Sequence, residues 1–227
     1  MFNILKFQHS ENSKVYFISD LHYAHEKLLE SRGFSTIGEH NKTIIDNWNN
    51  KVNNDSTVFF LGDLVLGAGQ KSQETYENLL NKLNFKYLYV MQGNHFGGGK
   101  PMWNSAFSSG KIDEYYRLKY CLNSNPDEDK VVYFIPNYYE IFVNSTPLIL
   151  SHYPILSWNG IRANSILLFG HCHNSLEKTP WVKENYLKSK CMDVGFEAIK
   201  APISFSEVKE IMDKRPIIQV DHHSLEN

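Results

Sequence analysis

Short runs of consecutive apolar residues, rich in β-branched and aromatic side chains, alternate along this chain with longer stretches whose apolar positions recur every three or four residues. The first pattern predicts buried strands and the second amphipathic helices. Strands are predicted over "KVYFISD" (14–20), "STVFFLGD" (56–63), "KYLYVMQGN" (86–94), "YYEIFV" (138–143), "PLILSH" (147–152), "SILLFGH" (165–171) and "CMDVGF" (191–196). Between them, "HEKLLESRG" predicts a short helix ending at Gly33. Ile44, Ile45, Trp48 and Val52 keep helical spacing in "HNKTIIDNWNNKV", and Tyr76, Leu79, Leu80 and Leu83 share one face of "SQETYENLLNKL". In "SFSEVKEIMDK", Ser204 followed three residues later by Glu207 is a capping-box signature for a final helix. Strand alternating with helix predicts an α/β fold with parallel pairing. "YYEIFV" and "PLILSH", joined by "NST", read instead as a hairpin. From 99 to 137 the periodicity gives way to "GGGK", "FSSGK" and "NSNPDEDK", which is loop chemistry, and the stretch is expected to be an insertion or a set of capping loops. The chain reads as a single domain over 1–213 with a loosely held tail at 214–227.

Composition narrows the function classes. A formal charge of −2 over 227 residues gives no electrostatic case for wrapping duplex nucleic acid or lying on an anionic membrane, and leaves room only for a local basic groove. Cys121, Cys172 and Cys191 are odd in number and form no CxxC, so no disulfide framework is predicted and a reducing cytosol is the simpler setting. "MFNILKFQHSENSK" is too short and too polar for a secretory signal, and no apolar run approaches the roughly 20 residues of a membrane helix. A cytoplasmic location follows as the expectation.

The candidate chemistry emerges where the strands stop. The first ends at Asp20 with His22 two residues on, the second at Gly62 and Asp63, and the third at Gly93, Asn94 and His95. The second strand of the hairpin ends at Ser151 and His152, and the next runs into Gly170, His171, Cys172 and His173. In open α/β sheets the carboxyl edge is where ligands bind. Asp, Asn and His offer oxygen and nitrogen donors, which suit Mn, Fe, Zn, Ni or Co rather than a thiolate cluster. Asp20, His22, Asp63, Asn94, His152, His171 and His173 are too many for one tetrahedral ion. Two divalent ions about 3.5–4 Å apart, bridged by one carboxylate, would use them all. In an extended segment His171 and His173 would point to one face, with Cα atoms about 6.5–7 Å apart, each able to serve a different ion while Cys172 points away. Singly, each block is commonplace; together, in order and each at a strand end, they are not what packing alone produces. His25 either faces a substrate or decorates the first helix, and Arg32 and Arg162 are either phosphate clamps or surface arginines. "GGGKP" lacks the glycine spacing and the Ser/Thr of a Walker loop, and "HEKLL" has Leu29 where a zincin has its second histidine.

The ordered blocks "DLH" (20–22), "GD" (62–63), "GNH" (93–95), "SH" (151–152) and "GHCH" (170–173) resemble those of the calcineurin-like metallophosphoesterase superfamily. The DxHxxH pattern in "SDLHYAHEKLL", the "SHYP" segment and a "VG…PISFSEV"-like close are similar to small bacterial and bacteriophage phosphoesterases; a phage origin would make the compartment a host cytoplasm. The resemblance implies a two-sheet β-sandwich flanked by helices. It implies one ion held by Asp20, His22, Asp63 and His173 and a second by Asp63, Asn94, His152 and His171, with Asp63 as the bridge and manganese as the expected metal. It also implies His95 as the catalytic histidine, giving a proton to the leaving oxygen as water activated between the cations attacks phosphorus. In the family an acidic residue usually follows Gly-Asn-His; here Phe96 stands in its place. The expected activity is hydrolysis of a small nucleotide or cyclic-nucleotide phosphodiester; the aromatic-rich 102–139 stretch is either a lid that stacks on the base or ordinary core and loop packing. Nuclease action on DNA or RNA, a phosphomonoesterase, and an interaction module that has lost catalysis are the alternatives; no membrane partner is expected.

Overall fold

A computed structural model describes residues 5–7, 15–66, 70–95, 120–121 and 130–217. Among these, the strands form two sheets. In one, β2 (Val15–Ile18), β3 (Thr57–Phe60), β4 (Tyr87–Met91) and β6 (Val131–Ile135) run parallel, with β11 (Ile203–Ser204) antiparallel on β2 and β5 (Tyr120–Cys121) antiparallel on β6. In the other, the order is β1 (Leu5–Phe7), β7 (Tyr138–Val143), β8 (Thr146–Ser151), β9 (Ile166–Phe169) and β10 (Cys191–Asp193), all pairs parallel except the β7–β8 hairpin. That hairpin turns on Asn144 and Ser145, both with positive φ (47° and 66°), the two-residue geometry that matches strand twist.

Three apolar layers explain why β9 and, after Thr57, β3 are hydrophobic runs, with both strands buried at every position. On the outer face of the first sheet, Val58, Phe60, Leu88, Val90 and Phe134 pack against Ile44 and Trp48 of α2 (Ile37–Asn49) and Tyr76, Leu79 and Leu80 of α3 (Gln70–Lys82). Between the sheets lie Phe17, Phe59, Leu61 and Met91 against Ile141, Leu148, Leu150 and Leu168, closed by Val208 and Met212 of α6 (Phe205–Asp213). Ile149, Leu167 and Phe169 on the far face of the second sheet are covered by Trp158, Ile161 and Tyr186. The architecture is therefore mixed α/β, two sheets flanked by helices in a single domain. No helix among the described residues is long and apolar enough to cross a membrane.

Two expectations change. Within 99–137, Val131–Ile135 is not loop but a strand paired in register with β4; its five apolar residues were masked by the polar "NSNPDEDK" before them. The strand expected over 191–196 stops at Asp193, because the Asp193 carboxylate accepts the Gly195 N–H at 2.7 Å and turns the chain into α5 (Phe196–Ile199).

The capping box of α6 is formed: Ser204 Oγ accepts the Glu207 N–H at 3.2 Å, and Glu207 Oε2 accepts the Ser204 N–H at 2.8 Å. Burial works against ionisation of Glu207, but the Lys51 ammonium and the Ser204 groups outweigh it and hold the carboxyl down to about 2, below the ordinary 4.5. Its contribution is therefore complete above pH 4.5 and is lost as pH falls toward 2. Ser204→Ala is expected to lower unfolding free energy by about 1 kcal/mol in urea titrations at neutral pH; no change would remove the cap from the account.

Candidate metal centre

The loops that leave β2, β3 and β9 are built from backbone that ordinary residues avoid. Asp20 (φ 56°), His22 (46°), Asp63 (61°), His171 (70°) and His173 (47°) all lie in the left-handed region. Each such residue costs of order 1–3 kcal/mol, so something must hold it. Adjacent loops do so by hydrogen bonds: Asp20 N–H to Gly62 O at 3.0 Å, His22 N–H to Asp63 O at 3.0 Å, and Ser19 N–H to Val194 O at 2.8 Å, the last joining the two sheets at this edge. Close approach does the rest. At Gly93 (φ 73°) a Cβ would collide with the Asp63 carboxylate and come within 2.6 Å of the Asp63 nitrogen.

The resulting side chains converge. His22 Nε2 and His173 Nε2 each lie 3.9 Å from Asp20 Oδ1. Asp63 Oδ2 stands 3.7 Å from His22 Nε2 and 3.6 Å from His152 Nε2, between two groups of donors. On its other side Asn94 Oδ1 is 2.8 Å from His152 Nε2 and 2.9 Å from His171 Nδ1. The donor atoms of Asp20, His22 and His173, and those of Asp20, Asp63 and His152, lie within 4.8 Å of one another. Separations of 3.6–3.9 Å are too long for hydrogen bonds and suit donors arranged about a shared cation.

The unmet valences test that fit. Asp20 Oδ1, Asp63 Oδ2 and both ring nitrogens of His22 are buried without a hydrogen-bond partner, a costly state for polar atoms. His152 Nδ1 donates to Leu61 O at 2.7 Å, so on a neutral ring Nε2 offers a lone pair toward Asn94 Oδ1, another acceptor. Burial pushes His152 and His171 below the ordinary histidine range, and burial plus the nearby His173 and Arg32 take His22 down to about 2. These rings are neutral, as metal ligands must be. The donor set therefore fits divalent cations. Cys172 is not part of either candidate ligand group, and without metal burial and the Asp193 and Asp20 carboxylates push its thiol up to about 11.

Burial also pushes the Asp20 carboxyl up to about 7, against the opposing pull of the Ser19 side chain and His173. Without metal, the folded chain then binds a proton that the unfolded chain releases near 3.8. The stability that this proton supports is full below 3.8 and is lost as pH rises through about 7. Metal-free Asp20→Asn should therefore gain stability relative to wild type as pH rises from about 4 to about 7, read as the difference in melting temperature; a difference flat with pH would contradict the shift.

The model of the calcineurin-like phosphoesterase family matches residues 13–225. The chain belongs to that family. It is similar to the uncharacterized protein MJ1445 of Methanocaldococcus jannaschii (28% identical over 210 residues, 91% of this chain and 95% of that one). It is also similar to the gene 66 protein of Mycobacterium phage L5 (26% over 212 residues, 88% and 95%). Among solved structures, a protein of unknown function from Aquifex aeolicus, AQ665, shares the fold with a TM-score of 0.56 at 19% identity, over 87% of this chain and 98% of that one. Membership in a phosphoesterase family and the candidate ligand groups together support a metal-dependent phosphoesterase.

Against the family pattern, Asp20, His22 and His173 meet at one side of Asp63, and Asn94, His152 and His171 at the other. The route for His171 and His173 differs from expectation. They are not in an extended segment but in a turn, closed by Cys172 N–H to Gly170 O at 2.8 Å, that sends one ring toward His152 (centroids 5.2 Å apart) and the other onto His22 (4.9 Å). His95 is exposed at the mouth, its N–H donating to Asp63 Oδ1 at 2.8 Å and its ring 5.1 Å from that of His22. His25 packs 5.5 Å from the His22 ring and makes no side-chain cap, and burial pushes its ring below the ordinary range. Arg32 is neither clamp nor surface residue: its side chain is 0% exposed, and its donors are spent inside the protein. Arg162 is exposed in the turn that enters β9, at the opposite end of that strand from the histidines, and so stands away from the centre. Phe96 lies outside the described residues.

Sequence reasoning passed over Glu197, whose Oε1 accepts from His173 Nδ1 at 2.8 Å. Burial opposes its ionisation, but His173 and Arg32 hold its carboxyl below the ordinary range; the same hydrogen bond raises His173. It also passed over Tyr153, 42% exposed, with its ring 4.8 Å from His152 and 4.6 Å from His171. The apolar-run rule finds groups at strand ends; Glu197 sits on a helix beyond β10, and the only signal for Tyr153 is adjacency to His152.

Proposed function

We propose that this chain is a two-metal phosphodiesterase acting on a nucleotide or cyclic nucleotide, with manganese as the working metal. The observation that carries the proposal is Asp63 Oδ2, buried without a hydrogen-bond partner, between two sets of oxygen and nitrogen donors. Asp20, His22, His173 and Asp63 would hold one cation, and Asp63, Asn94, His152 and His171 the other. Two bound divalent cations supply a nucleophile from water near neutral pH and neutralise charge on the phosphoryl oxygens.

The chain's own residues do the rest. Asp63 carries two duties, its Oδ2 toward the cations and its Oδ1 anchoring the His95 backbone. His95, exposed beside His22, is placed to give a proton to the leaving oxygen. Tyr153 presents an exposed ring next to His152 and His171, a flat surface on which a base can stack. A net charge of −2 favours small substrates over long polyanions.

The test is hydrolysis of bis-p-nitrophenyl phosphate, p-nitrophenyl phosphate, cyclic nucleotides and oligonucleotides with Mn²⁺, and after chelation. Diesters of small nucleotides are expected to turn over and EDTA to stop them. Preference for the monoester or for oligonucleotides would replace the substrate class, and no turnover by a chain carrying two ions would remove the enzyme reading. His95→Ala is expected to lower kcat by about 10²–10⁴-fold with metal uptake unchanged.

A further inference from the structure

We propose that Arg32 and Glu197 are positioning residues for one half of the metal centre, the half made by Asp20, His22 and His173, and not for the other. The inference rests on the two-metal reading above. The Arg32 side chain is wholly buried at the end of α1 (Leu29–Arg32). Its Nη2 donates to the backbone carbonyl of Asp20 at 2.7 Å and its Nη1 to that of Leu21 at 2.7 Å, gripping the left-handed segment that presents Asp20 and His22. Its Nε donates to Glu197 Oε1 at 2.7 Å, and the same oxygen accepts from His173 Nδ1 at 2.8 Å. One planar cation thus ties the backbone of Asp20 and Leu21, the segment that carries two ligands from the first sheet, to the carboxylate that fixes the third, which comes from the second sheet. With Nδ1 as the donor, His173 turns Nε2 toward Asp20 and becomes a better electron donor there.

The fork itself is held. Arg32 lies over the Phe196 ring at 4.9 Å, and its Nη1 also meets His40 Nε2 at 2.9 Å. His40 Nδ1 faces Asn41 Oδ1 at 3.3 Å, and that oxygen accepts the Ala24 N–H at 2.9 Å, so α2 steadies both the arginine and the loop beyond His22. The other half has a different support. His152 is oriented by a neutral backbone carbonyl, Leu61 O, and Asn94 lies between His152 and His171. Among the described residues, a buried ion pair therefore serves one half alone. Lysine cannot replace the arginine here, because a single ammonium cannot reach two carbonyls and a carboxylate in one plane.

The experiment is calorimetric titration of the metal-free protein with Mn²⁺, comparing wild type with Glu197→Gln and Arg32→Lys, each checked for folding by thermal melting. Wild type should take up two ions. In each variant one ion should bind as in wild type and the other 10–100-fold more weakly. If either exchange unfolds the chain, the paired variant Arg32→Met with Glu197→Leu removes both charges together and leaves neither unpaired, and the same loss of one ion is expected. Folded variants that bind both ions at wild-type affinity, or lose both equally, overturn the inference while the two-metal reading of the wild type stands. Failure of wild type itself to take up two ions overturns the two-metal reading and this inference with it.

Discussion

Asp63→Ala is expected to lose phosphoester hydrolysis by at least about 10³-fold, because the Lewis-acid stabilisation a cation supplies is worth several kcal/mol and each 1.36 kcal/mol is tenfold. Asp63 is the residue on which the site is centred: Oδ2 is 3.7 Å from His22 Nε2 and 3.6 Å from His152 Nε2, and Oδ1 fixes the His95 N–H. Removing it would delete the ligand that the proposed cations share and would free the backbone of the proposed acid. Asp63→Asn keeps the shape and the hydrogen bond to His95 but loses the charge. If charge is what matters, Asn should fail nearly as badly as Ala in both Mn²⁺ titration and turnover. Wild-type kcat and two bound ions in Asp63→Ala would mean that the gathered donors are not the reacting centre.

Gly93→Ala should be damaging out of proportion to its size. At φ 73° an alanine is strained wherever it sits, at about 1 kcal/mol. At this position the added methyl would also overlap the Asp63 carboxylate and press on the Asp63 nitrogen at 2.6 Å. Total destabilisation of about 1–3 kcal/mol is expected, together with a fall in kcat of about 10²-fold, since a shift of 1 Å in a catalytic group costs that much. Gly33→Ala is the control: φ is 75°, but nothing lies within 4 Å of its Cβ position. It should carry the conformational cost in a denaturant titration and leave turnover alone. Matching behaviour of the two variants would show that the contact with Asp63 is irrelevant.

The strand ends were legible because the signal is local. An apolar run that stops at Asp, Asn or His can be seen without knowing what the run packs against, and parallel strands bring such stops to one edge. Asp20, Asp63, Asn94, His152 and His171 are all of this kind. Arg32 was not legible, because its meaning depends on Glu197, distant in sequence and brought to it only by the closing of the second sheet. Glu197 and His40 are likewise ordinary helical residues until the layers meet. The left-handed backbone of Asp20, His22 and His173 was hidden as well: none is glycine, and groups distant in sequence hold it so. β6 was hidden for a plainer reason, its apolar run lying behind a loop-like stretch.

The edge where the sheets meet has a consequence for how the molecule comes into being. Asp20, His22, Asp63 and Asn94 belong to one layer; His152, His171 and His173 belong to the other, and Glu197 comes later still. As the ribosome releases the chain from its amino end, these four donors emerge before any partner from the other layer exists. A nascent chain that stops short of His152 carries the donors of one layer only. Completion of the candidate site is thereby deferred until the second layer has been made and has closed on the first.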